Sequence, residues 1–319
     1  NTINGKTTHP IVADPDSTEV NHAFLTYAGI PDTTLQVGRQ PHNLDNQRFI
    51  GTVGWRQNDQ TYDSAMVVNQ SLPDTTLFYS YVGNINRIFS DDHPLGDIET
   101  STHIINASYD GWKHGKLTGY GYLIDLNDIA IFGLSSKTFG VRFTGGAPVT
   151  EDFKLLYTAE YARQSDYGDN PTNYSADYYT LESGAGYKGL TAKIGYEVLG
   201  SDNGGTISFQ TPLATLHAFN GWADKFLTTP ATGLEDLYAS IGYKINDTGS
   251  EWIDGTNLAI TYHDFSAESG GANYGSEWDA SIGRSFMEHY SVLLKFANYN
   301  ADSFATDTQK IWVQLGAKF

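Results

Sequence analysis

About fifteen segments of this chain alternate apolar and polar residues with a period of two, and that pattern restricts it to sheets with two chemically different faces. In EDFKLLYTAEYA (151–162), Phe153, Leu155, Tyr157, Ala159 and Tyr161 share one face, while Lys154, Leu156, Thr158, Glu160 and Ala162 share the other. TTLFYSYV (75–82), LTAKIGYEV (190–198), LYASIGYKI (237–245) and YSVLLKFANY (290–299) repeat the scheme. The first such segment is VNHAFLTYA (20–28) and the last is KIWVQLGAKF (310–319).

The connections alternate as well. IPD (30–32), SLPD (71–74), GAPV (146–149) and YKG (187–189) are tight turns, whereas 40–59, 84–100, 164–174, 199–233 and 266–275 are long polar loops. The tetrad PDTT stands at 31–34 and again at 73–76, each time leading into a strand that opens on Leu. This is the plan of an up-and-down meander with short turns on one rim and long loops on the other, as in membrane-spanning barrels. Closure also answers a problem at the C-terminus, where a regular strand ends on Phe319 with nothing to blunt its edge of unpaired backbone groups.

Composition supports the all-β reading. The 33 Gly, 21 Tyr, 16 Phe and 6 Trp suit strands and turns, and 10 Pro with 2 Met suit a helical core poorly. Without cysteine there is no disulfide framework, thiolate zinc site or thiol nucleophile. A net charge of -18 repels nucleic acid. No stretch approaches the apolar length of a spanning helix, and a mean hydropathy of -0.37 is compatible with a barrel whose strands alternate. Soluble sandwiches or a propeller are the competing architecture. A propeller requires a blade repeat of about 40 to 50 residues, and only the PDTT pair recurs. Sandwich strands average about five or six residues, whereas several segments here reach the roughly nine to eleven of a tilted membrane strand. No GxSxG, HExxH or phosphate-binding glycine loop is present, so no enzyme is indicated, and no segment supplies the plug of an active transporter.

Two stretches carry a family resemblance. VGRQPHNLDNQRFIGTVGWRQNDQTYDS (37–64) and FQTPLATLHAFNGWADKFLTTPATGLEDLY (209–238) resemble signature segments of the alginate export family of bacterial outer-membrane β-barrels, and the resemblance extends over essentially the whole chain. It implies a pore of about eighteen strands in the outer membrane of Gram-negative bacteria, with a C-terminal aromatic residue recognised in assembly. It leaves the solute open, because some members export alginate and others resemble general porins.

For a pore, the lining carries the chemistry. The loops at 40–59 and 199–233 hold Trp, Leu and Phe, too apolar for free solvation, and are expected to fold into the lumen, 209–228 above all. They would bring Arg48 and Arg56 inward near Arg39, together with His217, Asn220, Trp222, Asp224 and Lys225. The polar faces of the strands add Arg142, Lys154, Glu160, Glu182, Lys193, Glu197, Asp236, Lys244, Asp279 and Lys295. We therefore expect the lining or constriction to include Arg39, Arg48, Arg56, Arg142, Lys154, Glu160, Lys193, Lys225 and Asp236, with no catalytic or metal site.

The acidic runs SDDHPLGDIE (90–99) and SDYGDNPTN (165–173) are candidates for Ca²⁺, or for the divalent ions that bridge lipopolysaccharide, although no EF-hand spacing occurs. Tyr79, Tyr81, Tyr109, Tyr120, Tyr122, Tyr157, Tyr161 and Trp278 are expected in interfacial girdles. The expected function is passive diffusion of small hydrophilic solutes or ions, with no cofactor and with lipid and lipopolysaccharide as surroundings. Export of an anionic polysaccharide is the alternative, followed by an outer-membrane enzyme or a soluble all-β binding protein. Fifteen alternating strands make the first and last parallel, so an odd number is expected before Asn1, with 1–18 the remainder of an external loop. Three more strands give a mature chain of roughly 390 to 400 residues.

Overall fold

The structure, a computed structural model, describes residues 15, 17–202 and 204–318. Most of the 1–18 stretch and the terminal Phe319 lie outside the described residues. The strands are β1 (Ala23–Ile30), β2 (Thr33–Gln40), β3 (Thr61–Asn69), β4 (Thr75–Asn86) and β5 (Asp97–Tyr109). They continue with β6 (Lys116–Ile124), β7 (Ser136–Pro148), β8 (Phe153–Asp166), β9 (Ser175–Tyr187) and β10 (Leu190–Leu199). The series ends with β11 (Leu234–Lys244), β12 (Asn257–Ser266), β13 (Asn273–Phe286), β14 (Tyr290–Ala301) and β15 (Thr308–Ala317). All fifteen form one antiparallel meander in sequence order, as the alternation predicts. β1 and β15 are its edges and do not pair with each other, so the closure expected at β15 is not made within this chain.

Turn chemistry explains the hairpins. Lys188 and Gly189 both have positive φ, 43° and 85°, as a two-residue turn that follows strand twist requires. The two PDTT tetrads adopt one geometry: Asp32 and Asp74 have φ of 54° and 53°. Thr33 and Thr75 donate their hydroxyls to the carbonyls of Pro31 and Pro73. Each aspartate carbonyl then accepts from the next hairpin, Asp32 from Gln70 N–H at 2.7 Å and Asp74 from Asp110 N–H at 2.9 Å. The alternation of connection length fails at three connections near the C-terminus. The connection between β11 and β12, on the short-turn rim, spans 245–256, while those after β12 and β14 on the opposite rim are only 267–272 and 302–307.

Burial is inverted relative to a soluble sheet. Leu181, Ile194 and Leu315 are 60%, 57% and 79% exposed on one face, whereas Glu160, Glu197, Asp236, Glu277 and Asp279 are buried on the other. A contiguous apolar face of this extent suits contact with hydrocarbon rather than water. Tyr79, Tyr81, Tyr109, Tyr161 and Trp278 belong to that outer face. Tyr120 and Tyr122 do not: both are buried and pack on Phe49 from the 41–60 connection, which corrects the girdle assignment for these two.

The outer face yields a direct test. Ile194 lies midway along β10, so Ile194→Arg is expected to cost about 2–4 kcal/mol of folding free energy in a lipid bilayer, and Thr248→Arg in the 245–256 connection about 0–1 kcal/mol. Urea titration of the vesicle-embedded protein measures both. Equal, negligible costs would mean that Ile194 faces water.

Candidate functional site

The inner face is polar because each strand turns its alternate polar residues toward it, and two connections fold onto that face. They are 41–60, between β2 and β3, and 200–233, between β10 and β11. Left-handed residues Asp45, Gln47, Val53 and Asn220 give these segments their sharp bends. The two join backbone to backbone: Gly51 N–H donates to the Leu213 carbonyl at 3.0 Å, and Thr215 N–H to the Gln47 carbonyl at 3.0 Å. The Gln60 amide donates to the carbonyls of Gly51 and Leu213, at 3.0 and 3.1 Å.

At one end of this bridge stands Arg48, 2% exposed. Its guanidinium donates from Nε and Nη2 to the two Glu197 carboxylate oxygens, at 2.8 and 3.2 Å, and also to Thr211 Oγ1 and Asn220 Oδ1. Tyr178 O–H donates to the same carboxylate, and the Asn220 amide donates to both Glu197 and Asp236. Asp236 in turn lies 2.9 Å from His263 Nδ1. Burial opposes the charge on Arg48, but Glu197 more than offsets it and holds the guanidinium above its ordinary pKa. Phe49, beside it, packs on Tyr178 and Phe209.

At the other end, Asp224 gathers three basic groups. His217 Nδ1 is 2.6 Å from its carboxylate, Lys310 Nζ 2.7 Å and Arg56 Nη2 3.6 Å. Burial pushes His217 below its ordinary pKa despite Asp224. Burial works against the Asp224 charge too, yet His217 and Lys310 keep its carboxyl below the usual range. On β13, the carboxylates of Asp279 and Glu277 accept the backbone N–H groups of Trp222 and Ala223, at 3.1 and 2.6 Å.

Beneath the bridge lies a cavity of about 340 Å³ whose charged walls are Arg142, Glu182, Lys193, Glu197, Asp236 and Asp279. Arg142 is hydrogen-bonded to Glu160, which also accepts from Tyr120 O–H at 2.8 Å, and Lys193 Nζ donates to Glu182 at 3.0 Å. Three of the nine expected residues, Arg142, Lys193 and Asp236, therefore line this space, and two more, Arg48 and Glu160, bond its walls through Glu197 and Arg142. Arg56 and Lys225 belong to the Asp224 end, where Lys225 Nζ sits 5.6 Å from the centre of the Tyr299 ring. Lys154 is exposed near the short-turn rim, opposite Gly186. Arg39 shares its parity with the outward Leu35 and Val37 and pairs with Asp63 at 2.8 Å. Parity alone reveals this: Gln40, one residue on, is the buried neighbour that bonds Ser64. Sequence reasoning missed His42, Tyr178, His263 and Lys310, all buried here. The inward parity of His263 with Thr261 on β12 was the available signal for one of them. Among the described residues, no cluster of His, Asp and Glu is arranged to hold a metal ion.

No family model and no curated protein matches the sequence. Solved structures do. OccAB3 of Acinetobacter baumannii superposes with a TM-score of 0.69 at 15% identity, over 91% of this chain and 75% of that one. OccK1 (OpdK) of Pseudomonas aeruginosa gives 0.69 at 16% identity, over 90% and 76%. OccK9 (OpdG) of the same organism gives 0.70 at 15%, over 90% and 73%. OpdK, an outer-membrane protein, is also known in complex with vanillate. This likeness shows the fold, that of an outer-membrane β-barrel.

The Arg48 pair and His42 generate two predictions. Arg48→Met strands the Glu197 charge and is expected to cost about 3–5 kcal/mol, much of it recovered by adding Glu197→Gln. Urea titration of the two single variants and the double variant measures the coupling, and additive costs would remove the pair from its central role. His42 is buried between Ser64 and Ser80, and that burial lowers its pKa to about 4 from an ordinary value near 6.5. Between these values the unfolded chain binds a proton that the folded one refuses. Stability should thus fall as pH drops from about 6.5 to 4, by up to about 1.4 kcal/mol per unit, and this component should vanish in His42→Gln. Identical pH slopes for the two proteins would refute it.

Proposed function

We propose that this protein is a passive channel of the Gram-negative outer membrane, admitting small hydrophilic solutes, with the 41–60 and 209–228 segments in its lumen setting the constriction. One observation carries the reading: a sheet whose exposed outer face is apolar surrounds a charged cavity crossed by two interlocked connections. A shape similarity to the Occ proteins supports it independently of any residue. The expected lining residues remain part of the proposal, with Arg48, Arg142, Glu160, Lys193 and Asp236 at the narrowest region and Arg56 and Lys225 beside it.

Charge pairing favours solutes that are neutral or carry both signs. Arg48 faces Glu197, Arg142 faces Glu160, Lys193 faces Glu182 and Lys310 faces Asp224. A polyuronate exporter needs an uncompensated cationic track, which these pairs do not provide, so the alginate export family is supported by sequence resemblance alone. A small carboxylate such as vanillate, known with OpdK, is within the size class proposed.

Refolded protein is expected to conduct in steps across a planar bilayer without nucleotide or proton gradient, with a reversal potential near zero in a KCl gradient. Strong anion selectivity would overturn the paired lumen and revive polyanion export. Silence over many insertions, with monodisperse behaviour in detergent-free buffer, would defeat the channel.

A further inference from the structure

We infer that Lys295 is the catch that holds both connections across the lumen, and so fixes the bore of the channel proposed above. It is an inward residue of β14, 7% exposed, and makes no ion pair within 4 Å among the described residues. Its ammonium is instead enclosed by three indoles from three parts of the chain. Nζ lies 4.2 Å from the ring centre of Trp55 in the 41–60 connection, 3.8 Å from that of Trp222 in the 200–233 connection, and 5.5 Å from that of Trp312 on β15. A desolvated cation facing indole rings is held strongly by their quadrupoles.

The remaining contact fixes a proton. Lys295 Nζ is 2.9 Å from His217 Nε2, and an ammonium can only donate, so Nε2 accepts and the His217 proton resides on Nδ1, directed at Asp224. Asp224 is bound to Lys310 on β15. The wall thus supplies the cation, and each connection supplies a face or an acceptor that closes on it. Trp55 stacks on His217 with ring centres 5.3 Å apart, so the two connections meet each other at the point where both meet Lys295. In this position Lys295 is not free to bind a passing anion, because the rings and His217 cover it. It acts as a positioning residue for the constriction.

Single-channel recordings on four proteins test this: wild type, Lys295→Met, Lys295→Arg and Trp55→Leu. Each is first checked for the heat-modifiable electrophoretic mobility of a folded barrel. Lys295→Met and Trp55→Leu are expected to raise mean conductance at least about twofold and to increase open-channel noise, with Lys295→Arg close to wild type because it keeps the cation. A merely structural role would lower the yield of folded protein without changing conductance per channel. If Lys295→Met does not fold, Trp55→Leu decides, since it alters only the loop side of the contact. Conductance unchanged in folded variants of a conducting wild type overturns the catch and leaves the channel reading standing. Unchanged conductance with reduced anion permeability overturns it as well, by making Lys295 a solute-binding cation. A silent wild type removes both.

Discussion

A sheet that turns an apolar face to hydrocarbon must turn its polar residues inward, and charges so enclosed are tolerable only when a partner, an opposite charge or an aromatic face, compensates them. This constraint organises the molecule. The inner face carries most of the buried titratable groups, and the arrangement of partners across neighbouring strands is largely a means of neutralising them. Arg142 and Glu160 are direct cross-strand partners on β7 and β8. Lys193 and Glu182 lie on the adjacent strands β10 and β9. Where the strands supply a lone carboxylate, a connection supplies the cation, as Arg48 does for Glu197.

The connections therefore serve as the core that the sheet lacks. Phe49 and Phe209 give Tyr178 an apolar neighbourhood, and Phe226 does the same for Phe265, Tyr274 and Tyr299 on β12 to β14. The polar parts of the same segments satisfy strand carboxylates with backbone N–H groups at Trp222 and Ala223. Filling and neutralising are done by the same segments, which is why the cavity stays small and charged.

Much of this is legible in the sequence, because period two belongs to single residues and their neighbours. β8, β10, β11 and β14 stand within a few residues of their sequence patterns, and the repeated PDTT marks two equivalent turns. The apolar content of 41–60 and 209–228 already argues that they pack on something. What eludes sequence is pairing at a distance: nothing local in QRFIG announces that Arg48 meets a glutamate 149 positions later. Tyr120 and Tyr122 suggest a girdle by residue type, but they share the inward parity of Thr118 on β6, and Phe49 of a remote connection packs on them there. Arg39 is a different case. Its parity with Leu35 and Val37 was available, but its position beside the Arg48 segment suggested the opposite face.

The interlock of 41–60 with 200–233 also divides the contacts of the fold into two classes. Each described strand pairs with its sequence neighbours, so the wall forms hairpin by hairpin, with 200–233 the longest loop it closes. The bonds from Gly51 to Leu213 and from Arg48 to Glu197 close loops of well over a hundred residues, and their partners face one another only after the intervening strands have curved into place. The wall and its filling therefore rest on loop closures of different length, and the longer ones carry the larger entropic cost.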